Sequence, residues 1–457
     1  METMQGKHGS ALITVPVATL EKSCTVQIQT FLDHPVFTNP IAIMPDTHAG
    51  SGAVIGFTMP MTERIIPNVI GVDIGCGMLS FMIGQELGVS HQDADTYVRA
   101  HVPFGMNVHD DPVLDMAREF PWEQANQLAR QFAGRYTAQF GTTIEPPRYS
   151  MDWFLNKCRE VHVDAGRVMR SLGSLGGGNH FIEIGRSQNT GNLWVTVHTG
   201  SRNFGLKIAT YWQAIASKHI RKDSKVALQA EIQRIKHETA DRTQIGSLIA
   251  EAKQRLAPVA PTGLEWLEGE DAHGYLFDMI FSQIYAEENR TQIVRVLERA
   301  LRVDEQDRVV SVHNFIDFED FVIRKGAIRS YAGERMVIPF NMRDGLLLCE
   351  GKSNEAWNFS APHGAGRVMS RTQAKKALSM DDFSQQMTGV FSTSVCSGTL
   401  DEAPGAYKDP KLIEDAIEPT ATIVDRVKPI HNMKAIEDGP SWKEKRQRDK
   451  RKGKKRR

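Results

Sequence analysis

The sequence predicts an α+β fold, a single large domain in which blocks of short strands alternate with inserted helices. Strand-like text, made of β-branched and apolar runs cut by glycine turns, occupies residues 37–87, 171–204 and 308–371. Helix-like text, rich in Ala, Lys, Gln, Glu and Ile at helical spacing, occupies 206–256 and 275–302. Sheet text therefore brackets a helical middle with no clean boundary, and no fixed period of roughly 20–50 residues repeats.

Taken in order, FTNPIAIMPDTHAGSGAVIGFTMP and IIPNVIGVDIGCGMLSFMIG read as strands joined by tight loops. The polar stretch 88–160 contains helical spacing over 112–134 interrupted by Pro121, which predicts a pair of surface helices. HFIEIG and NLWVTVH alternate with period two between Gly and Asn, as adjacent strands of a hairpin do. A Pro/Gly-containing connector at 257–274 separates the two helical blocks, and a further helix is expected over 372–388. Residues 443–457 hold eleven basic and two acidic residues, whereas the whole chain has 55 of each sign. The tail is thus net +9 on a body of net −9, and with almost no apolar side chains it is expected to be disordered. The expected division is a folded body over 1–440 and a basic tail over 441–457.

Hydrophobic residues at 41% and charged residues at 24% are those of a soluble globular chain. The longest apolar runs, 65–72 and 345–349, are too short for a membrane span. Five scattered cysteines without a C-x-x-C pair, behind a polar start METMQGKHGS, predict a reducing cytoplasmic setting and no disulfide scaffold.

Each strand block ends in a glycine-flanked loop that offers metal ligands. These are Asp73 and Cys76 in GVDIGCG, His180 in GGGNHFIE, His198 in VHTGSR, His313 in SVHNF and His363 in PHGAGR. One thiolate, one carboxylate and several imidazoles suit Mn, Zn, Fe or Co rather than Mg or Ca. Any one of these histidines taken alone is more often a hydrogen-bonded structural residue, and Cys76 alone a small buried hydrophobe. Their joint occurrence in loops of one type favours a metal site. GLLLCEGKS is excluded as a phosphate-binding P-loop because five residues separate its glycines where four are needed. GSLGGGNH is excluded as a dinucleotide fingerprint because a strand follows it.

The ordered strings MPDTHAGSGAVIGF, IIPNVIGVDIGCGM, GGGNHFIEIG, VHTGSR, VHN, RKGAIR, HGAGRVMSRTQAKK and AYKD closely resemble the RtcB family of RNA-splicing ligases, from about Ile41 to Lys434. The resemblance implies a GTP- and manganese-dependent ligase joining RNA 3′-phosphate or 2′,3′-cyclic phosphate ends to 5′-hydroxyl ends. It implies Asp73, Cys76, His180, His198 and His313 as ligands of two manganese ions, with Cys76 shared between them. It implies His363 as the guanylated residue. Asn179, His180, Glu183, His313, Asn314, Pro339, Met342, His363, Gly364, Ala365, Gly366 and Lys434 would contact the nucleotide, and Arg202 an RNA phosphate. The same loops leave open a metal-dependent RNA-end phosphoesterase that no longer guanylates, and a non-catalytic RNA binder using the basic tail.

Departures from the family pattern cluster near the nucleotide. VIPFNMRDG stands where IIPGSMG is usual, so Phe340, Asn341 and Arg343 replace small residues. Leu346 stands where a serine is common, Ser360-Ala361-Pro362 where Ser-Cys-Ser is, and Ala435 where glycine is. Arg343 is therefore expected to add a cation near the phosphates, and Phe340 and Leu346 to add bulk to the pocket.

Overall fold

The computed structural model describes residues 1–50, 52–239, 241–256 and 260–436, and the basic tail expected over 441–457 lies outside them. Seven strands form a wholly antiparallel sheet in the order Arg335–Pro339, Leu346–Gly351, Ala421–Lys434, Phe181–Ser187, Leu193–Thr199, Gly77–Met82 and Asp307–Val312. A six-stranded sheet runs Glu2–Gln5, Ser10–Ile13, Ile41–His48, Ile55–Pro60, Val322–Lys325 and Asn314–Ile316, with one parallel pair between its second and third strands. A short ladder pairs Ala327–Arg329 with Ser360–Pro362. Each large sheet takes strands from both halves of the chain, so the fold is one α+β unit rather than a row of domains.

The expected hairpin is present as Phe181–Ser187 and Leu193–Thr199, turning through Gly191 at φ +74°. Its alternation suggests one wet face, yet both faces are buried, because helices cover one and side chains from all seven strands pack together on the other. The helical middle consists of Arg202–Glu238, Ile245–Arg255 and the 33-residue Gly269–Leu301. Glu270 and Asp271 in the first turn of the last helix complement its dipole. Its first half buries Tyr275, Phe281 and Ile284 against Phe132, Phe154 and Phe204. Its second half packs Ile293 and Leu297 under the seven-stranded sheet against Leu79, Ile182 and Val195. Each such side chain contributes about 1.5–3 kcal/mol relative to exposure, so this helix is the spine joining the two cores.

Several expectations need correction. The pair of helices expected over 112–134 is present as Met116–Glu119 and Trp122–Phe140, and residues 88–160 also hold His91–His101 and Met151–Glu160, but they are not surface helices. Phe132, Tyr136 and Phe154 from this stretch are core residues. Pro121 does separate two helices, as its missing N–H requires. Within the apolar run 65–72, Pro67–Ile70 is a helical turn started by its proline. The helix expected over 372–388 is two short ones, Arg371–Ala377 and Met380–Gln386. All five cysteines are free. Among the described residues, no helix is long and apolar enough to cross a membrane.

Candidate functional site

The antiparallel register gathers the metal-ligand candidates. Gly77 pairs with Thr199 on one side and with Val312 on the other, so Cys76, His198 and His313 fall at the same end of three adjacent strands. Phe181 pairs with His198 and with Lys434, which adds His180 and Lys434 to that end. Asp73 belongs to the loop before Gly77, where glycine makes room: a Cβ on Gly200 would collide with its carboxylate, and one on Gly176 with the His180 ring and the Arg202 guanidinium.

Cys76 Sγ lies 3.4 Å from His180 Nε2 and 3.3 Å from His198 Nε2. His180 Nε2 is 3.0 Å from Asp73 Oδ2, and His198 Nε2 is 3.2 Å from His313 Nε2. The Nδ1 atoms of His180 and His198 face the carbonyls of Leu175 and Asn179 at 2.9 and 3.2 Å. A carbonyl only accepts, so Nδ1 carries the proton and each Nε2 presents a lone pair to the cluster. Lone pairs facing a carboxylate, a sulfur and one another repel unless a cation joins them. Ligand atoms about 2.0–2.3 Å from a shared ion would sit roughly 3.3–3.7 Å apart, close to the spacing found. Cys76, His180 and His198 form a buried group compact enough for one ion. His313 Nδ1 is buried without a partner.

The electrostatics agree with this donor set. Burial, reinforced by the neighbouring histidines, holds His198 and His313 well below the usual imidazole range, so both rings are neutral, the state in which an imidazole can take a metal. Burial and the Asp73 charge push the Cys76 thiol far up, so taking a cation there requires loss of a proton.

His363 stands beside this cluster, its ring centroid 4.8 Å from that of His313. Its Nδ1 donates to Asp46 Oδ2 at 2.6 Å. Gly366, at φ +72°, lets the HGAG loop lie on the Asp46 strand, because a Cβ there would strike the Asp46 carbonyl. Above the histidines opens a cavity of about 290 Å³. Every residue expected to contact nucleotide lines it, except His180, which sits beneath among the metal donors. Glu183 is buried in its wall, accepts from Asn432 at 2.8 Å, and is pushed up to about 8 by burial. Lys434, Arg367 and Arg371 converge on Glu402 at 2.9, 3.1 and 3.0 Å. Burial would raise Glu402, but those three cations bring it down to about 2.

Asp46, His48 and Glu402 were not singled out from the sequence, although PDTH and DEAPGAYKD surround them. An acid in a strand or a 3₁₀ turn carries no local sign of the side chain it will meet. Arg202, the expected phosphate ligand, is half-buried, and donates to Ser174 Oγ at 3.0 Å and Gly105 O at 2.7 Å. Of the departures, Phe340 and Asn341 line the cavity. Arg343 does not: it pairs with Asp344 at 2.7 Å. Leu346 packs with Met78 and Trp194 behind Phe181 rather than adding bulk to the pocket.

Comparison with known proteins accords with this arrangement. RNA-splicing ligase RtcB of Escherichia coli (strain K12) is 29% identical over 395 residues, 82% of this chain and 85% of that protein. The tRNA-splicing ligases RtcB of Aeropyrum pernix and Nanoarchaeum equitans are 23% and 24% identical, over 85% and 88% of this chain and 86% and 89% of their own. The profile described as tRNA-splicing ligase RtcB matches residues 27–435, and the chain belongs to that family.

Proposed function

We propose that this chain is an RNA ligase that joins RNA 3′-phosphate or 2′,3′-cyclic phosphate ends to 5′-hydroxyl ends, using GTP and manganese, through a histidine–GMP adduct on His363. The observation that carries the reading is the placement of His363. Its Nδ1 proton is held by Asp46, its ring adjoins His313 of the metal cluster, and a cavity opens over it. With Nδ1–H committed, Nε2 is the nucleophilic atom. Two manganese ions held by Asp73, Cys76, His180, His198 and His313 would supply Lewis-acid stabilisation of the phosphoryl oxygens.

The chain's residues divide the remaining work. His363 Nε2 attacks the α-phosphorus of GTP, forming an N–P bond as pyrophosphate leaves. GMP then passes to an oxygen of the RNA 3′-phosphate. The 5′-hydroxyl oxygen attacks that phosphorus, and GMP departs as the phosphodiester forms. Water opens a cyclic phosphate beforehand. Glu183, Asn179 and Lys434 line the cavity and would contact the nucleotide, and the Gly364–Gly366 backbone in the same wall would offer its N–H groups to the phosphates without side chains in the way. Arg202, anchored through two of its nitrogens, orients the RNA phosphate.

Incubation with manganese and GTP labelled at the α-phosphate tests the reading. Label is expected on the wild type and none on His363→Ala, while that variant retains bound manganese. RNA ends hydrolysed with no protein label would point instead to a phosphoesterase.

A further inference from the structure

Behind the metal loops, the helix Gly269–Leu301 presents Asn289 and Arg290, both buried, at 0% and 2% exposure. One guanidinium nitrogen of Arg290 donates to Gly75 O at 2.8 Å and Thr199 O at 2.9 Å. Gly75 directly precedes Cys76, and Thr199 directly follows His198. Asn289 Nδ2 donates to Gly200 O at 3.1 Å and Ser174 O at 3.2 Å, and its Oδ1 accepts from Ser174 N at 3.2 Å. This ties the start of the His180 loop to the same helix.

Arg290 is unusual in a second respect. Its Nε is buried with no hydrogen-bond partner, and its guanidinium forms no salt bridge among the described residues. A buried cation without an ion pair is costly. An apolar residue of similar length would fill the space at lower cost, so packing does not account for an arginine here. Unlike an apolar residue, it binds the two carbonyls that flank the candidate metal donors, and it also brings positive charge toward Cys76 and Asp73.

We infer that Arg290 is a positioning residue of the metal centre, fixing the separation between the Asp73–Cys76 loop and the His198 strand end. The inference rests on the proposed reading of Asp73, Cys76, His180, His198 and His313 as ligands. Groups that orient metal ligands from behind typically change affinity by roughly 10–100-fold when removed.

The test is titration of the full chain with cobalt(II) alone, following the thiolate-to-cobalt absorption band, with Cys76→Ala as the reference for a lost ligand. Arg290→Met is expected to weaken cobalt binding by at least about tenfold and to shift the band. Arg290→Lys keeps the charge but ends one bond short of the carbonyls, and is expected to weaken binding as well. Leu297→Ala, a core change on the same helix away from the loops, should lower Tm and leave the band in place. Wild-type affinity and band in Arg290→Lys, or in a folded Arg290→Met, overturns the inference. So does a Leu297→Ala variant of matched Tm that loses cobalt equally. If the wild type itself binds no cobalt, the ligand reading fails first, a result distinguishable from these.

Discussion

Asp46 accepts a 2.6 Å hydrogen bond from Nδ1 of His363, a residue 317 positions away along the chain. The carboxylate is fully buried, and its other oxygen has no partner. A buried carboxylate spent on one ring nitrogen fixes both the tautomer and the ring orientation of that histidine.

Asp46→Asn should therefore keep the fold and the metal but slow guanylation of His363. An amide in place of the carboxylate can present its NH₂ to Nδ1, which favours the tautomer with the proton on Nε2, the wrong one for attack. A fall of roughly 100-fold or more in adduct formation is expected, the scale of a lost acid–base partner. Single-turnover labelling with GTP measures it, and an unchanged rate would mean that His363 needs no orienting carboxylate.

Glu183 makes a pH-dependent prediction. Its ordinary value is 4.5, and burial pushes it up to about 8 in the fold. Below about pH 4.5 the group is neutral in both states. Between the two values the unfolded chain ionises while the folded one stays protonated, so stability falls as pH rises across that window and levels off above 8. Glu183→Gln stays neutral throughout. Its Tm should thus gain on the wild type as pH rises through the window, and parallel Tm curves would show that Glu183 titrates normally.

The sheet ends were legible because glycine turns and period-two runs mark strands locally, and the ligand loops share one pattern. The 14-residue strand Ala421–Lys434 was not, since Asp425, Arg426, Lys428 and Pro429 break its apolar alternation and only its pairing with two neighbours makes it a strand. The meeting of Asp46 with His363, and of Glu402 with three cations, depends on tertiary placement of segments far apart in sequence. Charge in the Phe340–Gly345 loop misled for a related reason: Arg343 pairs with its neighbour Asp344, which sequence alone does not reveal.

That correction separates two substitutions once grouped together. Phe340→Gly removes a ring from the cavity wall and is expected to change GTP affinity, or the preference for GTP over ATP in adduct formation, by about tenfold, since a fully buried Phe side chain is worth about 1.5–3 kcal/mol. Arg343→Ala should leave both unchanged. An effect of Arg343→Ala equal to that of Phe340→Gly would place the arginine in the working pocket after all.

The basic tail is tested through salt. Residues 443–457 carry net +9, whereas the rest of the chain carries net −9. A body of that charge gains little long-range attraction to RNA, so a cationic arm is the natural source of sequence-independent affinity. Each phosphate neutralised on a single strand releases counterions and contributes about −0.7 to the slope of log affinity against log salt. Even a few engaged phosphates would then change the slope by more than one. Deleting 443–457 is expected to weaken RNA binding and flatten that slope. Guanylation of His363 should be untouched, because it involves no RNA and the tail lies beyond residues 27–435 that match the family. Binding measured across a salt series in the full and truncated chains decides the matter: identical slopes would remove the tail from RNA recognition and leave it to solubility or targeting.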